Sequence, residues 1–263
     1  MTRTTLPPAL RELLGAWLPG QRWFPVKNAA FTFQPTGGLR LADGPAVGAE
    51  FEVLIVAVRY PTADGNRTDV VQVPLSFRHA PLAGAEPALI GEMPAGEQDR
   101  RWVYDGVHDP AFVAAWLDLM QGQGTAPTGN AAGHLTKSAF RLPFATGTVR
   151  VLSGEQSNSS VIVDDGESAA ILKFFRVLSE GENPEVEIGA ALTASGTREV
   201  PATLGWVTGE WETSAPDGGT LPAHGELAVA HEFLAGGLDA WRLAVGAASQ
   251  GAGFTAEAHV PRR

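Results

Sequence analysis

From residue 148 onward, apolar and polar runs alternate in an order that few folds can accommodate. Thr148–Leu152 reads as a short strand, Ser153–Ser159 as a polar loop and Ser160–Val163 as a second strand. Asp164-Asp165-Gly166 is a tight turn, and Ala169–Phe175 a third strand. A helix is then opened by Asn183-Pro184, with acidic residues in its first turn, and stopped by Gly196. Two further strands, Ala202–Thr208 and Glu226–Phe233, precede a Gly-Gly break and a helix over Leu238–Ala247.

The residues before this block read as an α+β unit on an antiparallel sheet. Leu10, Leu13, Leu14 and Trp17 recur at helical spacing within Pro7–Leu18, and Gly20 stops that helix after Pro19. Strands are expected at Ala30–Gln34, Phe51–Tyr60, Thr68–Phe77 and Arg101–Tyr104, the middle two joined by the turn Pro61–Asn66. Pro110–Met120 reads as a helix with Asp109 as its N-cap. Gln121–Lys137 has small polar residues, four glycines and no periodicity, which marks a linker between two domains.

Composition removes several classes of function. With no cysteine among 263 residues, disulfides, thiolate catalysis and Cys-type metal sites are out. No two of the six histidines are spaced as metal ligands on one helix face, so no metal site is expected. The opening residues are interrupted by Arg11–Glu12, unlike a secretory signal, and no apolar run approaches a membrane span. These features read as a soluble, cytoplasmic protein. The net charge of −10 is lopsided: residues 1–145 carry 12 basic and 13 acidic groups, residues 146–263 carry 7 and 16. An acidic second half argues against binding nucleic acid through phosphate contacts.

Only three lysines occur, and one of them, Lys173, lies in the middle of the apolar strand Ala169–Phe175. Buried there, it needs an anionic partner; at the solvent face, it could extend outward along its stem. The helix that follows offers Glu185 and Glu187. Glu185, nearer the helix start, suits the dipole. Glu187 shares a stripe with Ala190, Ala191 and Ala194, small residues that would let a strand approach. The loop around Ser157, Asn158 and Ser159 is polar but holds one glycine, and it matches neither GxGxxG nor the Walker pattern. It reads either as a phosphate cradle or as a plain hairpin loop. His224-Gly225-Glu226 imitates the start of a phosphotransferase loop, but no asparagine follows at the required spacing, so it reads as a turn before a strand.

The order of elements after residue 148 is that of a protein-kinase-like N-lobe ending at its hinge. The runs Gly154–Val163, Ile171–Arg176 and Asn183–Glu187 closely resemble actinobacterial maltokinases and the related glucosamine kinases, and Trp17–Phe24 resembles the start of their N-terminal cap. The resemblance implies an α+β protein: a cap over 1–120, a linker over 121–137, an N-lobe with a five-stranded antiparallel sheet and one main helix over 138–233, and the start of a C-lobe over 234–263. It implies ATP-dependent phosphorylation of a small sugar, maltose or glucosamine, with Mg²⁺. Lys173 would then contact the nucleotide phosphates with Glu187 as its partner. Ser157, Asn158 and Ser159 would form the tip of the phosphate loop, and the backbone of His231, Glu232 and Phe233 would bind adenine. The catalytic and metal-binding aspartates expected in a C-lobe do not occur in these residues, so the sequence reads as the nucleotide-binding half, inactive by itself.

Two other readings compete. One is a non-enzymatic fragment that binds nucleotide weakly, or binds a partner through the surface a C-lobe would cover; on either reading, an exposed apolar hinge strand at Leu227–Leu234 is expected to drive self-association. The other, a carbohydrate-binding sheet protein, rests only on seven tryptophans, most of which suit the cap core.

Overall fold

A computed structural model describes residues 5–42, 48–96, 99–122, 126, 129–136, 148–152, 157–215, 219–236 and 240–253. Lys137, the phosphate-loop positions 153–156 and the tail 254–263 lie outside the described residues.

The chain opens with helix α1 (Pro8–Trp17), whose Leu10 and Leu14 are buried. Strands β1 (Thr32–Arg40), β2 (Ala49–Thr62), β3 (Gly65–Arg78), β4 (Leu89–Pro94) and β5 (Arg100–Asp105) follow, and then helix α2 (Pro110–Met120). Asp109 caps α2 as its sequence position predicts: its carboxylate accepts the Ala111 N–H at 2.9 Å. The second half comprises β6 (Ala131–Leu135), β7 (Thr148–Val151), β8 (Asn158–Asp164), β9 (Ala169–Phe175), β10 (Val177–Leu178), α3 (Pro184–Ser195), β11 (Thr203–Ser214) and β12 (Thr220–Glu232). Residues 5–233 group as one compact unit; α4 (Ala240–Ser249) belongs to a second.

Among the described residues, twelve strands form one antiparallel sheet, ordered β4-β5-β3-β2-β1-β11-β12-β9-β8-β7, with β10 on β3 and β6 on β11. The expected five-stranded second sheet is therefore continuous with the first. The join is β1 to β11, where Gly37 pairs with Trp211. A Cβ on Gly37 would stand 2.8 Å from the Trp211 Cβ, so only glycine lets these backbones meet.

The expected linker is also part of this sheet. Residues 131–135 form β6, paired along β11, because their small side chains allow close approach: a Cβ on Gly133 would collide with the Leu119 carbonyl of α2. The His224 segment lies inside β12, which starts at Thr220, rather than in a turn before it.

Alternation along β9 sorts its two faces. Leu172 and Phe174 point into a core with α2, where the Trp116 and Phe174 rings are 5.2 Å apart. Lys173 points the other way, toward α3. A second core gathers Leu10, Leu14, Leu18 and Phe24 over Val56, Val71 and Val73. The exposed apolar hinge surface expected at Leu227–Leu234 is not there. Leu227, Ala228, Val229 and Ala230 are fully buried, because β12 is a central strand packed on both faces; of the apolar residues there, Leu234, past the strand's end, is the exposed one.

Candidate active site

Helix α3 is placed by its ends and by one glycine. The Asn183 side chain accepts the Glu185 N–H at 2.9 Å, and Gly196 closes the helix in the left-handed conformation. Glu185, Gly189 and Thr193 recur four apart, so they form one stripe. That stripe faces the sheet: a Cβ on Gly189 would strike Thr203 Oγ1, and Thr193 Oγ1 accepts the Thr203 N–H at 2.8 Å.

This packing aims Glu185 at Lys173. The Lys173 ammonium donates to Glu185 Oε1 at 2.8 Å, both side chains about one-third exposed. The same oxygen lies 3.2 Å from His231 Nε2, and His231 Nδ1 lies 3.1 Å from Thr203 Oγ1. A chain of contacts thus runs from β11 through β12 and α3 to β9. The hydrogen bond from His231, aided by Lys173, outweighs the burial that opposes it and pulls the Glu185 carboxyl down to about 2.

Glu187, the partner expected from the sequence, is not at the lysine. It is solvent-exposed, two residues on from Glu185 and so on the opposite side of the helix from the stripe. The alanine stripe misled because alanines tolerate exposure; Ala191 and Ala194 are exposed. The close approach belongs to Gly189, and the i, i+4 recurrence of Glu185, Gly189 and Thr193 was the signal in the sequence that marks it.

The remaining expected site residues divide. Ser157 is exposed, and Asn158 begins β8 opposite Phe175. Ser159 Oγ accepts from Arg176 Nε at 2.8 Å, so its hydroxyl faces an ion pair on the far side of the sheet. Ser160, which the sequence left unmarked, is the residue paired with Lys173 and shares its face; its buried hydroxyl has no hydrogen-bond partner among the described residues. In the expected hinge, the N–H groups of Glu232 and Phe233 donate to Ala202 and Ala169 carbonyls at 2.8 and 3.0 Å. His231 enters the site through its imidazole rather than through its backbone.

A cleft of about 520 Å³ opens beside these groups. Lys173, Glu185, His231 and Thr203 give it a polar base, and Ile171 and Ile188 give it an apolar wall. A few convergent polar groups with an apolar wall and a strongly shifted carboxyl form the usual outline of a small-molecule site.

Residues 17–109, which span β1 to β5, match the maltokinase N-terminal cap domain. A glucosamine kinase of Mycolicibacterium smegmatis is 32% identical over 151 residues, covering 57% of this chain and 33% of that relative. Both matches point to the maltokinase and glucosamine kinase family, which this chain resembles over those residues. The chain spans about a third of the length of the relative it matches.

The residues that match the cap and the sheet that follows are tied by buried polar groups. Arg176, three residues after the site lysine, is fully buried and pairs with Asp105 of β5 at 2.6 and 2.8 Å. Its guanidinium also lies 4.8 Å from the Trp23 ring. The Gln72 amide of β3 donates to the Phe175 and Leu227 carbonyls, both at 2.9 Å. Among the described residues no helix is long and apolar enough to cross a membrane.

Proposed function

We propose that the cleft at Lys173 binds the phosphates of ATP, and that this chain supplies the nucleotide-binding half of a small-sugar kinase. The observation that carries the reading is the Lys173–Glu185 pair, held at 2.8 Å between strand β9 and helix α3. An ammonium fixed in this way can neutralise phosphate charge, and positioning plus charge neutralisation supply nearly all of the catalysis in phosphoryl transfer. Glu185 orients the ammonium, and Ser160 presents a hydroxyl on the same face.

Mg²⁺ would accompany ATP in this chemistry and would help neutralise the phosphate charge. Among the described residues no three His, Asp or Glu side chains converge as a metal site, so no protein ligand is assigned to it. Nor do the gathered groups include a free base for a sugar hydroxyl, since Glu185 already accepts from Lys173 and His231. Residues 1–263 are accordingly proposed to bind nucleotide without transferring phosphate. The acceptor in the complete reaction is a small sugar, maltose or glucosamine.

Calorimetric titration of residues 1–263 with Mg–ATP tests the reading. Saturable binding that weakens at least tenfold in Lys173→Met and in Glu185→Gln is expected. Binding that ignores both substitutions would sink the site assignment. Phosphorylation of either sugar by residues 1–263 would overturn the proposed inactivity.

A further inference from the structure

The imidazole of His231 touches the carboxylate on which the lysine depends. Glu185 Oε1 receives Lys173 from one side at 2.8 Å and His231 Nε2 from the other at 3.2 Å. His231 is itself fixed from behind, with Nδ1 at 3.1 Å from Thr203 Oγ1. The Thr203 backbone is tied in turn to Thr193 of α3 at 2.8 Å. His231 therefore stands between the helix and the sheet, and both of its ring nitrogens are engaged.

We infer that His231 is a positioning residue for the nucleotide site: it holds Glu185 toward β9, so that the Lys173–Glu185 pair is closed before any ligand arrives. The inference rests on the nucleotide reading of the cleft. Three observations support it. A glutamate side chain has several rotatable bonds, and Lys173 alone is a long, mobile partner that could follow it outward. A second donor on the same oxygen, anchored in a central strand, removes that freedom. The His231 hydrogen bond is also the largest influence holding the Glu185 carboxyl in its charged form. And the ring is aimed at this carboxylate alone: among the described residues its ion-pair contact is Glu185 of α3 at 3.2 Å, while the neighbouring Glu232 carboxylate accepts from the Ala202 N–H at 3.4 Å. The ring itself does not need to touch nucleotide to act. Its effect passes through Glu185 to the ammonium.

The inference predicts coupling of a specific kind. In residues 1–263, His231→Leu removes the donor, whereas His231→Gln keeps an N–H at the reach of Nε2. Mg–ATP affinity, read by calorimetry, is expected to fall roughly tenfold in His231→Leu, the effect of one lost hydrogen bond to a charged group. His231→Gln should recover most of it. In a Glu185→Gln background, His231→Leu should cost nothing further, because its route to the lysine is already cut. A ligand-free readout runs alongside: the Lys173–Glu185 coupling, measured by a double-mutant cycle in urea unfolding, should shrink when His231 is leucine. If His231→Leu binds Mg–ATP within twofold of wild type while Lys173→Met does not bind, the positioning role is overturned and the nucleotide site stands. If His231→Leu weakens binding equally with and without Glu185, the ring acts by some other route and the inference also fails. If the wild type does not bind Mg–ATP, the nucleotide reading falls and takes this role with it, whatever the unfolding cycle shows.

Discussion

Removing the Asp105 carboxylate should destabilise this protein more than any surface change, because of what it leaves behind. Arg176 has no exposed side-chain surface, and Asp105 accepts two hydrogen bonds from it at 2.6 and 2.8 Å. In Asp105→Ala the guanidinium stays buried with only the Ser159 hydroxyl and the Trp23 ring for company. Stranding one member of a buried pair costs about 3–5 kcal/mol. The ring returns part of this, since a desolvated cation over tryptophan is worth up to about 2 kcal/mol. The expected loss is therefore near the lower end, about 3 kcal/mol, a large share of a typical stability of about 5–15 kcal/mol. For a chain of this size it corresponds to a fall in Tm of roughly 6–12 °C. Urea unfolding should show the midpoint move at constant slope. The paired replacement Asp105→Leu with Arg176→Met should recover most of the loss, because it removes the charge along with its partner. A single variant within about 1 kcal/mol of wild type would refute the reasoning, as would a double variant no better than the single.

Two further outcomes test the site. Gly189→Val should push α3 off Thr203 at a cost of about 1–3 kcal/mol, as overpacking does, and should weaken Mg–ATP binding, whereas Ala191→Val on the exposed side should change neither. The Glu185 carboxyl is lowered from 4.5 to about 2, chiefly by the His231 hydrogen bond, so its contribution to stability is complete above about pH 4.5 and is lost as pH falls through about 2. Urea midpoints followed from pH 5 to pH 3 should therefore fall less steeply in Glu185→Gln than in wild type.

Helix starts and stops were legible because they are written in adjacent residues. Asp109 before Pro110 sets the start of α2, and Asn183-Pro184 with Gly196 sets both ends of α3, within a residue, since caps act on the nearest backbone groups. The apolar strand around Lys173 was legible too, and an ammonium in that setting demands a carboxylate. Which carboxylate could not be read locally. Glu185 and Glu187 are both within reach by sequence, and the choice was made by Gly189, whose missing Cβ lets one stripe of α3 lie on Thr203 and turns Glu187 to solvent.

Long-range pairing lay further beyond the sequence. Gln121–Lys137 has the composition of a linker, yet residues 131–135 join β11, and the cap shares one sheet with the strands that follow. Local propensity is silent on such pairings, because they depend on backbones brought close by glycines distant in the chain, at Gly37 and Gly133. The sequence by itself determined most of the elements, the family resemblance and the need for an anion beside Lys173. The tertiary structure alone chose Glu185, brought in His231 and buried Arg176 against Asp105, because each of these depends on the packing of segments far apart in the chain.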